Sequence, residues 1–350
     1  MSLYRIACTS VDNRYQFHVM PVLLTEFLIS QPANQHASQH EAALMVSALA
    51  RDLSNANALV VATRHATRDT SLIPDKACLI ILEEPFTPTA LKTLWTTYFA
   101  PSAPSDCCLL LAPESNNTLF HLTHHAESCA IPLLSSGAPA VQATTSKRQT
   151  TQTLQHNGIE APPLITLDSI DAHDSNRYVL KPDDGVGSID TFCLSGSALK
   201  HTHKRYPHHI ITPWLEGRHL SLTLLCDGNG SAHVLSCNQH HITLAEDNAV
   251  HLRAIDVGIR RSSGQQAQDQ QLAQRIAKIF PSLYGFVGID IIDTNDTVSV
   301  IDINPRVTTS YVGLSTALND NPATWLLDLH HTGQLRAAYP SPSTPTTVTL

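Results

Sequence analysis

The sequence predicts a mixed α/β (α+β) protein, with a mostly parallel α/β layer over residues 1–140 and then a region built mainly of antiparallel strands. Three observations carry that expectation. Within residues 1–140, short apolar runs alternate with helical periodicity, the pattern of strands joined by helical crossovers. From Tyr178 onward, strand-like runs follow one another through turns rich in Gly and Asp, as hairpins do. Finally, the 350 residues are 42% hydrophobic and 15% charged, which supplies enough apolar side chain for two or three cores.

Each element has a local reason. Glu41 to Ser54 places Ala42, Met45, Leu49 and Leu53 on one helical face, with Glu41 in the first turn, where the helix dipole favours an anion. Leu59 to Ala62 and Ala77 to Leu82 read as strands, Thr89 to Phe99 as a helix and Cys107 to Ala112 as the next strand. Pro101-Ser-Ala-Pro-Ser105 ends that helix before the strand. Ser146-Lys147-Arg148-Gln149 has capping-box form and opens a helix that Asn157-Gly158 closes. Pro162-Pro163 then feeds a strand at Leu164-Ile165-Thr166. Antiparallel strands are expected at Tyr178 to Lys181, Ile189 to Leu194, Ile210 to Trp214, Leu220 to Cys226 and His233 to Cys237. A helix from Gln266 to Phe280 carries Leu272, Ile276 and Ile279 on one face. A hairpin follows, Phe286 to Ile292 and Thr297 to Ile303, and residues 336–350 read as a flexible tail with little to bury.

Composition removes several functions. With 22 Lys and Arg against 30 Asp and Glu the net charge is −8, so nucleic acid is not an expected partner. The longest apolar runs are far too short to cross a bilayer, so no membrane partner is expected either. The opening Met-Ser-Leu-Tyr-Arg has no apolar signal region, and the eight cysteines form no Cys-x-x-Cys pair. Both point to a cytoplasmic protein with reduced core thiols. Four histidine doublets invite a metal reading, but adjacent residues diverge on a strand or helix, so scattered surface histidines are the simpler expectation.

Three stretches carry chemistry. In Tyr178-Val-Leu-Lys-Pro-Asp-Asp-Gly-Val-Gly-Ser188 a strand ends in Lys181, and Gly185 and Gly187 allow close backbone approach, so consecutive N–H groups can cup a phosphate. An Asp-Gly hairpin turn explains the same residues about as well. Next, Asp290 lies in Gly288-Ile-Asp290, and Asp302 and Asn304 leave one face of Val300-Ile-Asp-Ile-Asn-Pro-Arg306. Asp290 and Asp302 are symmetric about the turn at residues 293–297, so two carboxylates and an amide oxygen converge. Such hard oxygen ligands suit Mg²⁺ bridging to phosphates, although a hairpin with polar ends is the plainer alternative. Finally, Ile210-Ile-Thr-Pro-Trp-Leu-Glu-Gly is a strand and a turn whose Pro213-Trp214-Leu215 could wall a purine.

Taken in chain order, the capped helix with Lys147, the Lys181 and glycine loop, the strand and turn at Ile210 to Gly217, and then Asp290 to Arg306 resemble an ATP-grasp domain over residues 141–330. The resemblance implies an ATP-grasp fold with an N-terminal α/β domain over 1–140 and the ATP-grasp domain over 141–335. Within the latter it implies a small lid at 145–210 and an antiparallel-sheet body at 211–335. It assigns ATP binding to Lys147, Lys181, Asp184, Gly185, Val186, Gly187 and Ser188 on the phosphate side, and to Thr212, Pro213, Trp214, Leu215 and Glu216 on the adenosine side. It assigns metal binding to Asp290, Asp302 and Asn304, with ATP and two Mg²⁺ ions as cofactors, and catalysis to Arg306 and Lys181.

 

The resemblance extends into the N-terminal part through Glu41 to Leu53, Leu110-Leu-Ala-Pro-Glu-Ser115, Ser236-Cys-Asn-Gln239 and Asn304 to Leu314. These stretches are similar to the subgroup containing the tyramine–L-glutamate ligases of methanofuran biosynthesis and their methylotroph relatives, over nearly the full chain. It implies a ligase that joins a small-molecule carboxylate to an amine through an acyl phosphate, with glutamate as the expected acid. Homo-oligomer formation is left open, as are the roles of Glu26 and Glu114. The chain departs from the family in three places. Asp302 stands where most members carry Glu, Arg218-His219 replaces the usual ribose-binding acid, and the segment from Arg253 to Arg260 lacks the subgroup's aromatic and paired glycines. Arg253 and Arg260 are the expected substrate contacts there. The alternative is an ATP-binding module that has lost its chemistry and serves in regulation or assembly. An NAD-dependent oxidoreductase is disfavoured, because Ile6-Ala-Cys-Thr-Ser-Val-Asp12 contains no glycine.

Overall fold

A computed structural model describes residues 4–7, 20–32, 39–68, 77–99, 106–170, 174–294 and 296–350. The helix-breaking segment expected at Pro101 to Ser105 and the centre of the hairpin turn at Asn295 lie outside the described residues.

The first sheet is built from β1 (Tyr4–Ala7), β2 (Pro21–Glu26), β3 (Leu59–His65), β4 (Cys78–Leu82) and β5 (Cys107–Leu111), in the order β1-β4-β3-β2-β5. Strands β2 to β5 run parallel, and β1 is antiparallel to β4. The interior positions of β3 and β5 are buried on both faces, which is why these strands read as unbroken apolar runs in the sequence. Helix α1 (Gln39–Asn55) covers one face with Ala42, Met45, Leu49 and Leu53, and α2 (Pro88–Tyr98) and α3 (Thr118–Ser128) cover the other. The chain builds β2, β3 and β4 outward in one direction and then returns to place β5 beside β2.

Helices α4 (Ala138–Thr145) and α5 (Lys147–His156) lead to a three-stranded antiparallel sheet of β6 (Arg177–Pro182), β7 (Phe192–Ser195) and β8 (His209–Pro213), with α6 (Gly196–His203) against it. Ser146 caps α5 by accepting the Gln149 N–H. Two expected strands differ. Leu164 to Thr166 is extended but unladdered, held by one bond from Ile165 N–H to Ile211 O. Strand β7 starts only at Phe192, because Gly187, Ser188 and Asp190 take positive φ and turn the chain first.

The third sheet is antiparallel throughout: β9 (Arg218–Asp227), β10 (Ala232–Leu244), β11 (Val250–Val257), β12 (Tyr284–Asp293), β13 (Val298–Asn304) and β14 (Thr346–Thr349), in the order β13-β12-β9-β10-β11-β14. Helix α7 (Ser263–Ile279) packs on one face, and α8 (Tyr311–Leu318) and α9 (Pro322–Thr332) join the other to α1 and the first sheet. The expected flexible tail is thus corrected. Its last residues pair with β11, and Val348 is buried against Val257 and Gly313, whose missing side chain lets the strand approach. The expectation of uniformly reduced cysteines is corrected too: Cys78 is disulfide-bonded, while six other described cysteines are free. Among the described residues no helix is long and apolar enough to cross a membrane.

Candidate active site

A deep cleft opens where the three sheets meet. One lobe is lined by Lys147, Lys181, Gly185, Val186, Gly187, Ser188, Asp290, Asp302 and Asn304. The β12–β13 ladder pairs Asp290 with Asp302 and Gly288 with Asn304, so register alone brings the three oxygen-bearing side chains to one patch. Asn304 Nδ2 donates to Asp290 Oδ2 at 3.2 Å. Burial, and then the Asp302 charge, pushes the Asp290 carboxyl up to about 7. A cation is what would let both acids ionise together. Among the described residues no group of three or more His, Cys, Asp or Glu side chains is placed to hold a metal. A hard cation here would therefore draw on the Asn304 amide and on oxygens brought by a ligand.

The two lysines reach this patch from different elements. Lys147, the first residue of α5, donates from Nζ to Asp302 Oδ2 at 2.7 Å and to Gly185 O at 3.0 Å. Burial pulls its pKa down, but the Asp302 charge more than offsets that and holds the ammonium above its ordinary value. Lys181, near the end of β6, donates to Ile301 O at 3.0 Å. Its pKa falls to about 8, chiefly through burial and then through repulsion by Lys147, partly offset by Asp302 and Asp290. Asp183 ties the loop to α5, accepting from Ser146 Oγ and Arg148 N–H, both at 2.8 Å. A Cβ at Gly185 would stand 2.8 Å from the Pro182 ring, so that tight position excludes a side chain.

The adenosine-side expectation separates into two parts. Thr212, Pro213, Trp214 and Leu215 line the cleft. Arg177 stacks on Trp214, with its guanidinium carbon 4.7 Å from the ring centre. Glu216 lies outside the cleft lining and pairs with Arg177 at 3.5 Å. Asp184 also lies off the lining and accepts from Asn116 N–H at 2.8 Å, joining the glycine loop to the segment after β5. Arg253 and Arg260 are exposed and line no part of the cleft; β11 turns the Arg253 side chain to Thr243 Oγ at 3.0 Å. The structure thus does not bring these two arginines to the cleft with the other expected site residues.

Arg306 stands between this lobe and a second one. Its guanidinium binds Glu114 in bidentate fashion at 2.9 and 3.0 Å, and burial, which would lower its pKa, is outweighed by the Glu114 charge. The second lobe adds Glu26, Leu28, Glu41, Ala42, Met45 and Leu252. Glu41 accepts from Thr309 Oγ at 2.7 Å. The sequence gives His240 no role beyond its doublet, yet strand alternation turns it inward, onto Ser221 Oγ at 3.0 Å, while His241 faces Asp256. The alternation around Ser236 to Ile242 was the signal that could have found it.

Residues 144–310 match the family of the ATP-grasp domain. The chain carries an ATP-grasp domain. A tyramine–L-glutamate ligase of Methanocaldococcus jannaschii is 26% identical over 213 residues, 60% of this chain and 59% of that protein. Its counterpart from Methanocaldococcus fervens is 27% identical over 211 residues, 60% of this chain and 62% of the relative. The chain thus spans about three fifths of the length of these curated relatives. Among solved structures, an ATP-grasp superfamily protein of Archaeoglobus fulgidus superposes with a TM-score of 0.65 at 20% identity, covering 95% of this chain and 99% of that one. The L-amino acid ligase of Bacillus licheniformis gives 0.65 at 14% identity over 90% and 77%. The ATP-grasp fold therefore extends past the matched domain into the first sheet.

Proposed function

We propose that this chain is an ATP-dependent carboxylate–amine ligase, with L-glutamate as the acid and a place in methanofuran-type cofactor synthesis. The observation that carries the reading is the facing of Lys147 and Lys181 against Asp290, Asp302 and Asn304 across one cleft, with the glycine loop beside them. The similarity to tyramine–L-glutamate ligases supports the choice of acid.

In this reading Thr212 to Leu215 receive the adenine, and Lys147, Lys181 and the Gly185–Ser188 backbone hold the phosphates. Asp290, Asp302 and Asn304 would hold Mg²⁺, which when bound neutralises charge on the phosphates. The carboxylate of the acid attacks the γ-phosphorus, the bond to the β-phosphate oxygen breaks, and ADP leaves. Arg306, fixed by Glu114, stabilises the transferred group from the side of the second lobe. The amine then displaces phosphate from the acyl carbon. The lid (145–210) and body (211–335) are the parts that close on the nucleotide. The test is a screen of amino acids and amines for ADP release with Mg²⁺ and ATP, with mass spectrometry of the products. An amide formed alongside ADP supports the reading; nucleotide binding without ADP formation in any combination contradicts it.

A further inference from the structure

The second lobe holds a carboxyl group that the phosphate chemistry does not use. Glu26 is the last residue of β2, in register with Leu111, the last of β5. Because β3 and β4 extend from one side of β2 and β5 lies on the other, this is the point where the strand order reverses. Crevices beyond the carboxyl ends of strands at such a point are where open parallel sheets bind ligands. Glu26 is 3% exposed yet lines the cleft, whose lining also includes the aliphatic side chains of Leu28, Met45 and Leu252. One carboxylate oxygen accepts from Ile29 N–H at 2.7 Å, which fixes its direction.

We infer that Glu26 is the base that takes a proton from the incoming ammonium group, releasing the neutral amine that attacks the acyl phosphate. This deepens the ligase reading above and rests on it. The amine arrives as R–NH₃⁺ and gives one proton to the Glu26 carboxylate. Its freed lone pair forms the C–N bond to the acyl carbon. The C–O bond to phosphate breaks with its electron pair, and the second nitrogen proton leaves with the phosphate as HPO₄²⁻. Glu26 then returns its proton to water.

The electrostatics agree with this role. Burial raises the Glu26 pKa to about 7, against the pull of the Ile29 and Leu28 N–H groups and of Arg306 and Arg68. A carboxyl near neutrality is a better proton acceptor than one near its ordinary value and is still ionised in part at pH 7. The charged groups around it come from every neighbouring element. Arg306 precedes α8, Arg68 follows β3 and bonds Leu28 O, Glu41 sits on α1, Glu114 follows β5, and Arg64 and His65 end β3.

The test compares two nucleophiles on one acyl phosphate. Purified full-length protein is given ATP, Mg²⁺ and L-glutamate with either hydroxylamine, which is uncharged at neutral pH, or a panel of primary amines that includes tyramine. Glu26→Gln is expected to lower the ratio of amide to hydroxamate about 100-fold, and Glu26→Asp to restore part of it. In the unmodified protein the same ratio should rise with pH through about 7, a readout that does not depend on the variants folding. Asp290 and Lys181 serve the first step and so cancel from the ratio. An unchanged ratio in Glu26→Gln, or one flat with pH, overturns the inference. So does hydroxamate formed by a protein that accepts no amine of the panel. If neither product forms, the ligase reading falls and takes this inference with it.

Discussion

Asp302 is the residue on which most of the site's charge turns. It carries the Lys147 ion pair, raises Asp290 and supports the ammonium of Lys181. Asp302→Ala is expected to cut substrate-dependent ADP release by about 100-fold or more, and Lys181→Met by a similar factor, since such preorganised charges act in a water-poor site. Steady-state assays of ADP release check both. A second expectation concerns stability. Burial, followed by the His241 charge, holds His240 down at about 4 in the fold, against an ordinary value of 6.5. The unfolded chain therefore binds that proton first as pH falls, and the stability present above 6.5 is lost on the way to about 4. Melting curves across this range should show His240→Gln losing less stability than the unmodified protein. At this scale the carboxylate pair was legible in advance, because two strands about one turn fix which residues face each other. Glu41, Glu114 and His240 were not assignable, because their partners lie 268, 192 and 19 positions away.

Elements are held in place by polar clamps that the hydrophobic pattern does not reveal. Arg261 bonds Asp269 of α7 twice at 3.0 Å and Asp293 of β12 once at 2.7 Å, with all three side chains nearly inaccessible. Removing the guanidinium would leave two buried carboxylates facing each other. Arg261→Met is expected to destabilise the fold by about 3–5 kcal/mol in chemical denaturation. Gly288 makes a further constraint on β12. A Cβ there would lie 2.5 Å from Thr308 Cγ2, so Gly288→Ala must displace Thr308, which lines the cleft. We expect that variant to lose ADP release by a larger factor than it loses stability. Strands were read well where β-branched and aliphatic runs met clear turns. The start of β7 and the absence of a ladder at Leu164 to Thr166 depended on turn geometry and on which neighbour was within reach.

Across the whole molecule, function depends on three sheets presenting different chemistry to one space. The antiparallel sheet supplies carboxylates, the three-stranded sheet supplies Lys181 and the glycine loop, and the parallel sheet supplies Glu26. Asp184 reaches Asn116 across that space, and Arg306 reaches Glu114, so the glycine loop and the β12–β13 hairpin both lean on the first sheet. The alternating pattern of the first 140 residues and the hairpins beyond them made this architecture readable. The meeting of the sheets was not, because no local pattern encodes which loops converge. The closing strand β14 escaped for a related reason: its residues look polar, and only Val348 is buried.

The central claim is that a carboxylate receives phosphate from ATP in this cleft before the amine arrives. Oxygen-18 placed in the carboxyl group of the acid identified by the screen follows that transfer directly. Mass spectrometry of the released phosphate should find one labelled oxygen per amide formed. Label that stays wholly in the acid and amide, with unlabelled phosphate released, would contradict the account.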